Sequence, residues 1–229
     1  MTELSTISAF TISMAALATL AILPLGIAVA WVLAHRNFRG RVVLETVVSL
    51  PLVLPPVATG LILITLLGRR GPLGGVLAHL GIEVMFTWRA VVLAMGVMGL
   101  PLLVRSARAG FEQVDRRYEQ IAATLGASAA RVFFTVSLPL ASRGILAGAL
   151  LAFSRAIGEF GATMMLAGAL PSTRTVAVAI YTYAEVGEET AAASMVAVSV
   201  TIAFGALLLS NRLMAAASTP GAGHRPLKP

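Results

Sequence analysis

Cysteine is absent from the 229 residues, which excludes disulfides, iron–sulfur ligation, thiolate zinc sites and cysteine nucleophiles. Lysine occurs once, at Lys228. No Gly-x-x-x-x-Gly-Lys-Ser/Thr phosphate-binding loop is therefore present, and the chain cannot hydrolyse ATP by that route. The three histidines, His35, His79 and His224, fall on a membrane flank, a loop and the tail, with no His-Glu-x-x-His pair among them. Each reads as an ordinary solvated histidine, and neither a metal site nor a cofactor is expected. Charge is also scarce, at 12% of residues, where a soluble domain carries about a quarter.

Hydrophobic residues make up 58% of the chain. Several uncharged windows reach the roughly 20 residues that a helix needs to cross a hydrocarbon core of about 30 Å. The expected class is an all-α integral membrane protein, a polytopic helical bundle in contact with membrane lipid. The formal charge of +7 comes almost entirely from arginines beside apolar segments, so topology explains it and nucleic acid does not.

The run Ala9–Ala34 is too long for the core of a signal peptide and reads as a retained first helix. Residues 35–41 follow with three arginines, which the positive-inside rule assigns to the cytoplasm. A second span is expected over Thr46–Gly68, where Pro51, Pro55 and Pro56 remove three helical donors. Two readings stay open there, a packing kink or a broken helix lining a path through the membrane. Residues 68–88 form an outer loop whose Arg69 and Arg70 read as solvated interfacial charges. The third span runs from Val84 or Ala90 to Val104, the fourth starts near Pro139, and the last covers Ala191–Ser210. Residues 171–190 read as an outer or re-entrant segment. Five spans result, or six if Val176–Ala184 completes a crossing. Of seventeen lysines and arginines, twelve fall in the inner loops and tail and three in the outer loops, with Arg89 and Arg155 left over. The N-terminus is then outside and the C-terminus cytoplasmic. Residues 9–213 form the transmembrane domain, and 214–229 a Pro/Gly-rich tail expected to be disordered.

Two polar interruptions stand out. Between Glu119 and Pro139, good helix formers run up to Gly126, and a second helical pattern with Val132, Phe133 and Val136 follows as far as Leu138-Pro139. This predicts a cytoplasmic helical hairpin within 112–139 whose apolar residues need a partner. Further on, Arg155 and Glu159 lie four apart and share a helix face, about 20 Å beyond Ser142 and so past mid-membrane. Ionisable groups at that depth pair with each other or mark a pathway. Gly158 and Gly161 beside them allow close backbone approach.

The hairpin resembles the coupling loop of ATP-binding-cassette importer permeases, whose pattern is Glu-Ala-Ala, three residues, Gly, nine residues, an aliphatic, one residue and Leu-Pro. Ala122, Gly126, Val136, Leu138 and Pro139 match it. Gln120 stands where the pattern has its glutamate, Ile121 replaces the first alanine, and Glu119 comes one position early, so either Glu119 or Gln120 takes that role. With the strings Ser49–Gly60, Leu67–Gly74 and Phe153–Thr163 added, the chain is similar to molybdate permeases of that importer family, with sulfate/thiosulfate permeases as near neighbours. The resemblance implies a type I importer permease fold in the cytoplasmic (inner) membrane. It also implies a homodimer, two separate ATPase subunits seated on the coupling loop, and a periplasmic or lipid-anchored oxyanion-binding protein, with alternating access between them. It makes Pro55, Pro56, Gly60, Arg155, Glu159 and Gly161 the candidate translocation path, for molybdate or for tungstate or sulfate. The chain itself is expected not to be an enzyme. An ion-driven secondary transporter could use Arg155 and Glu159 but leaves the hairpin unexplained. An intramembrane enzyme would need paired carboxylates or a base within a span, and Glu159 is the only deep acid.

Overall fold

The computed structural model of the chain describes residues 2–218, and all regular structure among them is helical. Helix α1 (Thr2–His35) has 34 residues, about 50 Å at 1.5 Å per residue. It extends the expected run Ala9–Ala34 at both ends.

The second apolar stretch is broken. Helices α2 (Arg41–Val53) and α3 (Pro56–Leu67) meet at 118°, so of the two readings left open, the break is the one found. Leu54 is extended (φ −69°, ψ 143°), the conformation that a following proline favours. Pro56 then opens α3 at its first position, where a missing N–H costs nothing. Pro51, lying inside α2, does not interrupt it.

The connection at 68–88 contains a short helix, α4 (Pro72–His79), again opened by proline. Helix α5 (Trp88–Glu112) continues eight residues past Val104, through Arg105 and Arg108. Arg108 is paired there, Nε with Glu112 at 2.7 Å and Nη1 with Glu45 of α2 at 2.8 Å.

Helix α6 (Arg116–Thr124) leads through a turn to α7 (Ala129–Val132), a π-helical turn at Phe133–Ser137, and α8 (Leu138–Ile157). The last three form one continuous apolar helix, Ala129–Ile157. The expected boundary at Leu138-Pro139 is therefore absent. Pro139 lacks a donor and its ring crowds the carbonyl four residues back, and the widened turn, with Leu138 N–H reaching the Phe133 carbonyl, lets the helix run on.

Helix α9 (Gly161–Ala167), α10 (Val176–Glu185) and α11 (Glu189–Ser218) complete the chain. With ten residues, α10 is about 15 Å long, too short to make a sixth span. Among the described residues four helices are long and apolar enough to cross a membrane, and a fifth if α2 and α3 count as one bent span. Helix α11 reaches Ser218, so 214–218 of the expected tail are helical, and 219–229 lie outside the described residues.

Helix α5 forms the centre, packed most extensively between α8 and α1. Close approach depends on small residues. A Cβ placed on Gly144 would lie 2.6 Å from the Gly110 Cα, and Ser106 Oγ donates across the same seam to the Gly144 carbonyl at 2.9 Å. Apolar clusters fill both ends of this layer. One unites Ala15, Val91, Met95, Ala156 and Leu166, the other Leu33, Val104, Ala107, Phe111 and Ala141.

Candidate functional site

The hairpin lies at the arginine-rich end of the bundle. Asp115 caps α6 by accepting from Arg117 N–H at 2.9 Å, and Ser128 caps α7. Between them Gly126 has φ +83°, a left-handed conformation that glycine adopts without penalty and a β-branched residue does not. Nothing lies within 4 Å of the Cβ that a larger residue would add there. The backbone, not space, makes that demand.

Glu119 and Gln120 separate cleanly. The Glu119 side chain is mostly buried and turned into the bundle, where its Oε1 is 3.1 Å from His35 Nε2 and accepts from Ser137 Oγ. Gln120 is exposed. Gly126 and Pro139 are exposed, while Ala122, Val136 and Leu138 are half-buried. His35 corrects the expectation of a solvated ring. Its side chain is 13% exposed, stacked on Trp31 at 5.1 Å and edge-on to Phe111 at 6.1 Å. A partner 84 positions away left no trace in the local sequence.

The hairpin also exposes Tyr118, Ile121, Leu125 and Phe134, with Leu125 at 83%. The first three recur at i, i+3 and i+7 and so form one stripe on α6. That spacing was available from sequence and marks an apolar face with nothing over it.

The second site lies where α8 ends and α9 begins. Glu159 is buried, and its Oε1 accepts the Ala162 N–H at 2.8 Å, satisfying a free donor in the first turn of α9. Its Oε2 stands 2.8 Å from Arg155 Nη1. This is a close charge contact rather than an aligned hydrogen bond, because Oε2 has no bonded donor among the described residues. The Arg155 side chain is 27% exposed, and the rest of its five-donor fork has no described partner. A guanidinium held on one edge and open on the other suits a forked contact with an oxyanion.

Gly161 brings the broken helix to this point. Its added Cβ would lie 2.8 Å from Pro56 Cβ and 3.1 Å from Val57 N, while one on Gly60 would lie 3.0 Å from Ala162 Cα. Pro56, Gly60 and Gly161 are thus the contact between α3 and α9, with Pro55 at the elbow itself and Arg155 and Glu159 just before it. Gly158 plays no such part, since a Cβ there would meet nothing within 4 Å. Sequence reading missed two residues. The buried hydroxyls of Thr59 on α3 and Thr163 on α9 have no hydrogen-bond partner among the described residues, which is uncommon for buried polar groups. Their positions, next to Gly60 and two after Gly161, were the available signal.

Hairpin and elbow are joined by one helix. From Ala129 to Arg155 the continuous α7–α8 rod covers about 40 Å.

The family model described as binding-protein-dependent transport system inner membrane component matches residues 6–218. The chain is 45% identical over 205 residues to the molybdenum transport system permease protein ModB of Escherichia coli (strain K12), covering 88% of this chain and 90% of that one. It is 42% identical over 214 residues to the protein of the same name from Haemophilus influenzae, covering 92% and 93%. Among solved structures, an inward-facing MetNI methionine ABC transporter superposes with TM-score 0.70 at 14% identity, covering 94% of this chain and 96% of that one. A bacterial alginate ABC transporter in complex with a pentasaccharide-bound periplasmic protein gives 0.70 at 15% identity, covering 93% and 78%. These two similarities concern the fold.

Proposed function

The chain belongs to the family of binding-protein-dependent transport system inner membrane components, and on that premise we propose that it is the permease subunit of an ATP-driven importer carrying molybdate inward. The observation that carries this reading is 45% identity maintained over 88% of the chain to a molybdenum transport permease. Its fold is that of a type I ABC importer permease.

The arginine-rich hairpin end faces the cytoplasm in this reading, because twelve of the seventeen basic residues lie in the loops and tail assigned to that side. With no phosphate-binding lysine loop of its own, the chain works with a separate ATPase. The exposed Tyr118, Ile121 and Leu125 stripe supports a docking face for it, with Gln120 on the accessible side and Gly126 as the pivot. Two chains form a homodimer with two ATPases, and a binding protein delivers the anion from outside. Closure of the ATPases displaces the hairpins. The α7–α8 rod carries that displacement to the elbow formed by Pro55, Pro56, Gly60 and Gly161, which alternates access.

Molybdate is a tetrahedral dianion. The open edge of Arg155 offers it a planar pair of donors, Glu159 holds the guanidinium in place, and Thr59 and Thr163 are hydroxyls in the same neighbourhood. Tungstate and sulfate share this charge and shape. The test is calorimetric titration of the cognate binding protein with each anion, followed by competition in ATP-driven vesicle uptake. Molybdate is expected to bind and to be transported. Uptake that ignores molybdate would contradict the assignment.

A further inference from the structure

We propose that His35 and Glu119 are a positioning pair through which movement of the hairpin enters α1, so that the coupling element drives two spanning helices and not α8 alone. The inference rests on the reading of the hairpin as the ATPase-docking element.

Glu119 joins three elements. Its Oε1 lies 3.1 Å from His35 Nε2 at the end of α1 and accepts from Ser137 Oγ in the π-helical turn before α8. The ring of His35 has little freedom to swing. Nδ1 lies 3.1 Å from the Trp31 carbonyl, which can only accept and so requires a proton on Nδ1. Nε2 is then the ring atom that faces the Glu119 carboxyl, at 3.1 Å. Stacking on Trp31 and edge contact with Phe111 fix the ring plane, and Phe133 of the π turn packs on Trp31 in turn, 5.7 Å away.

Mechanical consequences follow. Without this pair, α6 still packs on α7 and the π turn, but its hydrogen-bonded link to α1 is a long 3.5 Å contact from Arg116 to the Ala34 carbonyl. With it, a shift of α6 pulls on the end of α1, which packs along α5. The carboxylate one position early in the coupling pattern thus faces inward, and Gln120, about 100° further round the helix, is left to face outward.

The test is a double-mutant cycle on the complex of this chain with its ATPase and binding protein in vesicles, reading molybdate transported per ATP hydrolysed. H35A and E119A are each expected to lower that ratio roughly tenfold, the upper end for one buried hydrogen bond. The double variant should fall no further, and H35Q, whose amide keeps a donor toward Glu119, should recover most of the loss. Additive losses, or an unchanged ratio in the single variants, overturn the proposal. Failure of the variants to assemble with the ATPase also overturns it, because the pair then only holds the fold. A separate arm guards the underlying reading. Leu125→Cys in the otherwise unaltered chain should cross-link to the ATPase, and absence of that product counts against the hairpin as docking element whatever His35 does.

Discussion

The Arg155 guanidinium stands 2.8 Å from the Glu159 carboxylate, with the acid 1% exposed and the base 27% exposed. The two are not equivalent. Glu159 is sealed in and also holds the first turn of α9 through Ala162 N–H, whereas Arg155 keeps donors open. R155L leaves a buried carboxylate without its countercharge, and breaking such a pair costs about 3–5 kcal/mol. Thermal unfolding in detergent should show that loss, and R155L/E159Q should regain most of it. Uptake is expected to remain lost in both. An R155L/E159Q chain that transports normally would reduce the pair to packing.

Gly126 tests the turn of the hairpin. At φ +83°, valine pays a backbone penalty of about 1–2 kcal/mol, whereas asparagine tolerates this region. G126V is expected to release or uncouple the ATPase, and G126N to keep both binding and transport. Equal behaviour of the two variants in co-purification and uptake would remove the turn from the account.

Gly161 tests the elbow. Its Cβ would press on the Pro56 ring and the Val57 nitrogen, neither of which can rotate away. G161V should therefore cost about 1–3 kcal/mol and lower the unfolding midpoint by roughly 2–4 °C per kcal/mol. G158A, with open space around it, is the control and should differ little from the parent. If the two substitutions proved equally harmless, α3 would not be seated on α9 as described.

The absence of cysteine makes the proposed docking face directly testable. A single cysteine at Leu125, Ile121 or Tyr118 should cross-link to the ATPase in the assembled complex, while one at Ala122, half-buried on the same helix, should do so far less. Uniform labelling at all four positions would mean that no particular face is docked.

Much of this fold is legible in the sequence. Apolar length alone locates α1, α5, α8 and α11, because a membrane demands about 20 apolar residues whatever their packing. The doublet Pro55-Pro56 signalled a kink or a break, but the choice between them depended on α9 being available to receive α3 through Gly60 and Gly161. Helix ends were less legible. Arg105 and Arg108 mark an expected exit from the membrane, but they do not mark the end of α5, which runs on to Glu112. Pro139 looks like a helix start, yet a π turn absorbs it. In the candidate site, Arg155 and Glu159 do make contact, but not on the shared helix face that their spacing predicts, because α8 ends at Ile157 and Glu159 lies two residues beyond it. His35 departs from its expected solvated state for a different reason. Its surroundings are Trp31, Phe111 and Glu119, and only the first is near it in sequence.

The central claim is that this chain moves molybdate only when a separate ATPase drives it through the hairpin. The direct measurement is molybdate uptake into vesicles containing the chain, its ATPase, external binding protein and internal ATP, compared with vesicles from which the ATPase alone is omitted. Accumulation is expected in the complete system and none without the ATPase. Equal uptake by the chain alone, independent of ATP, would contradict the account.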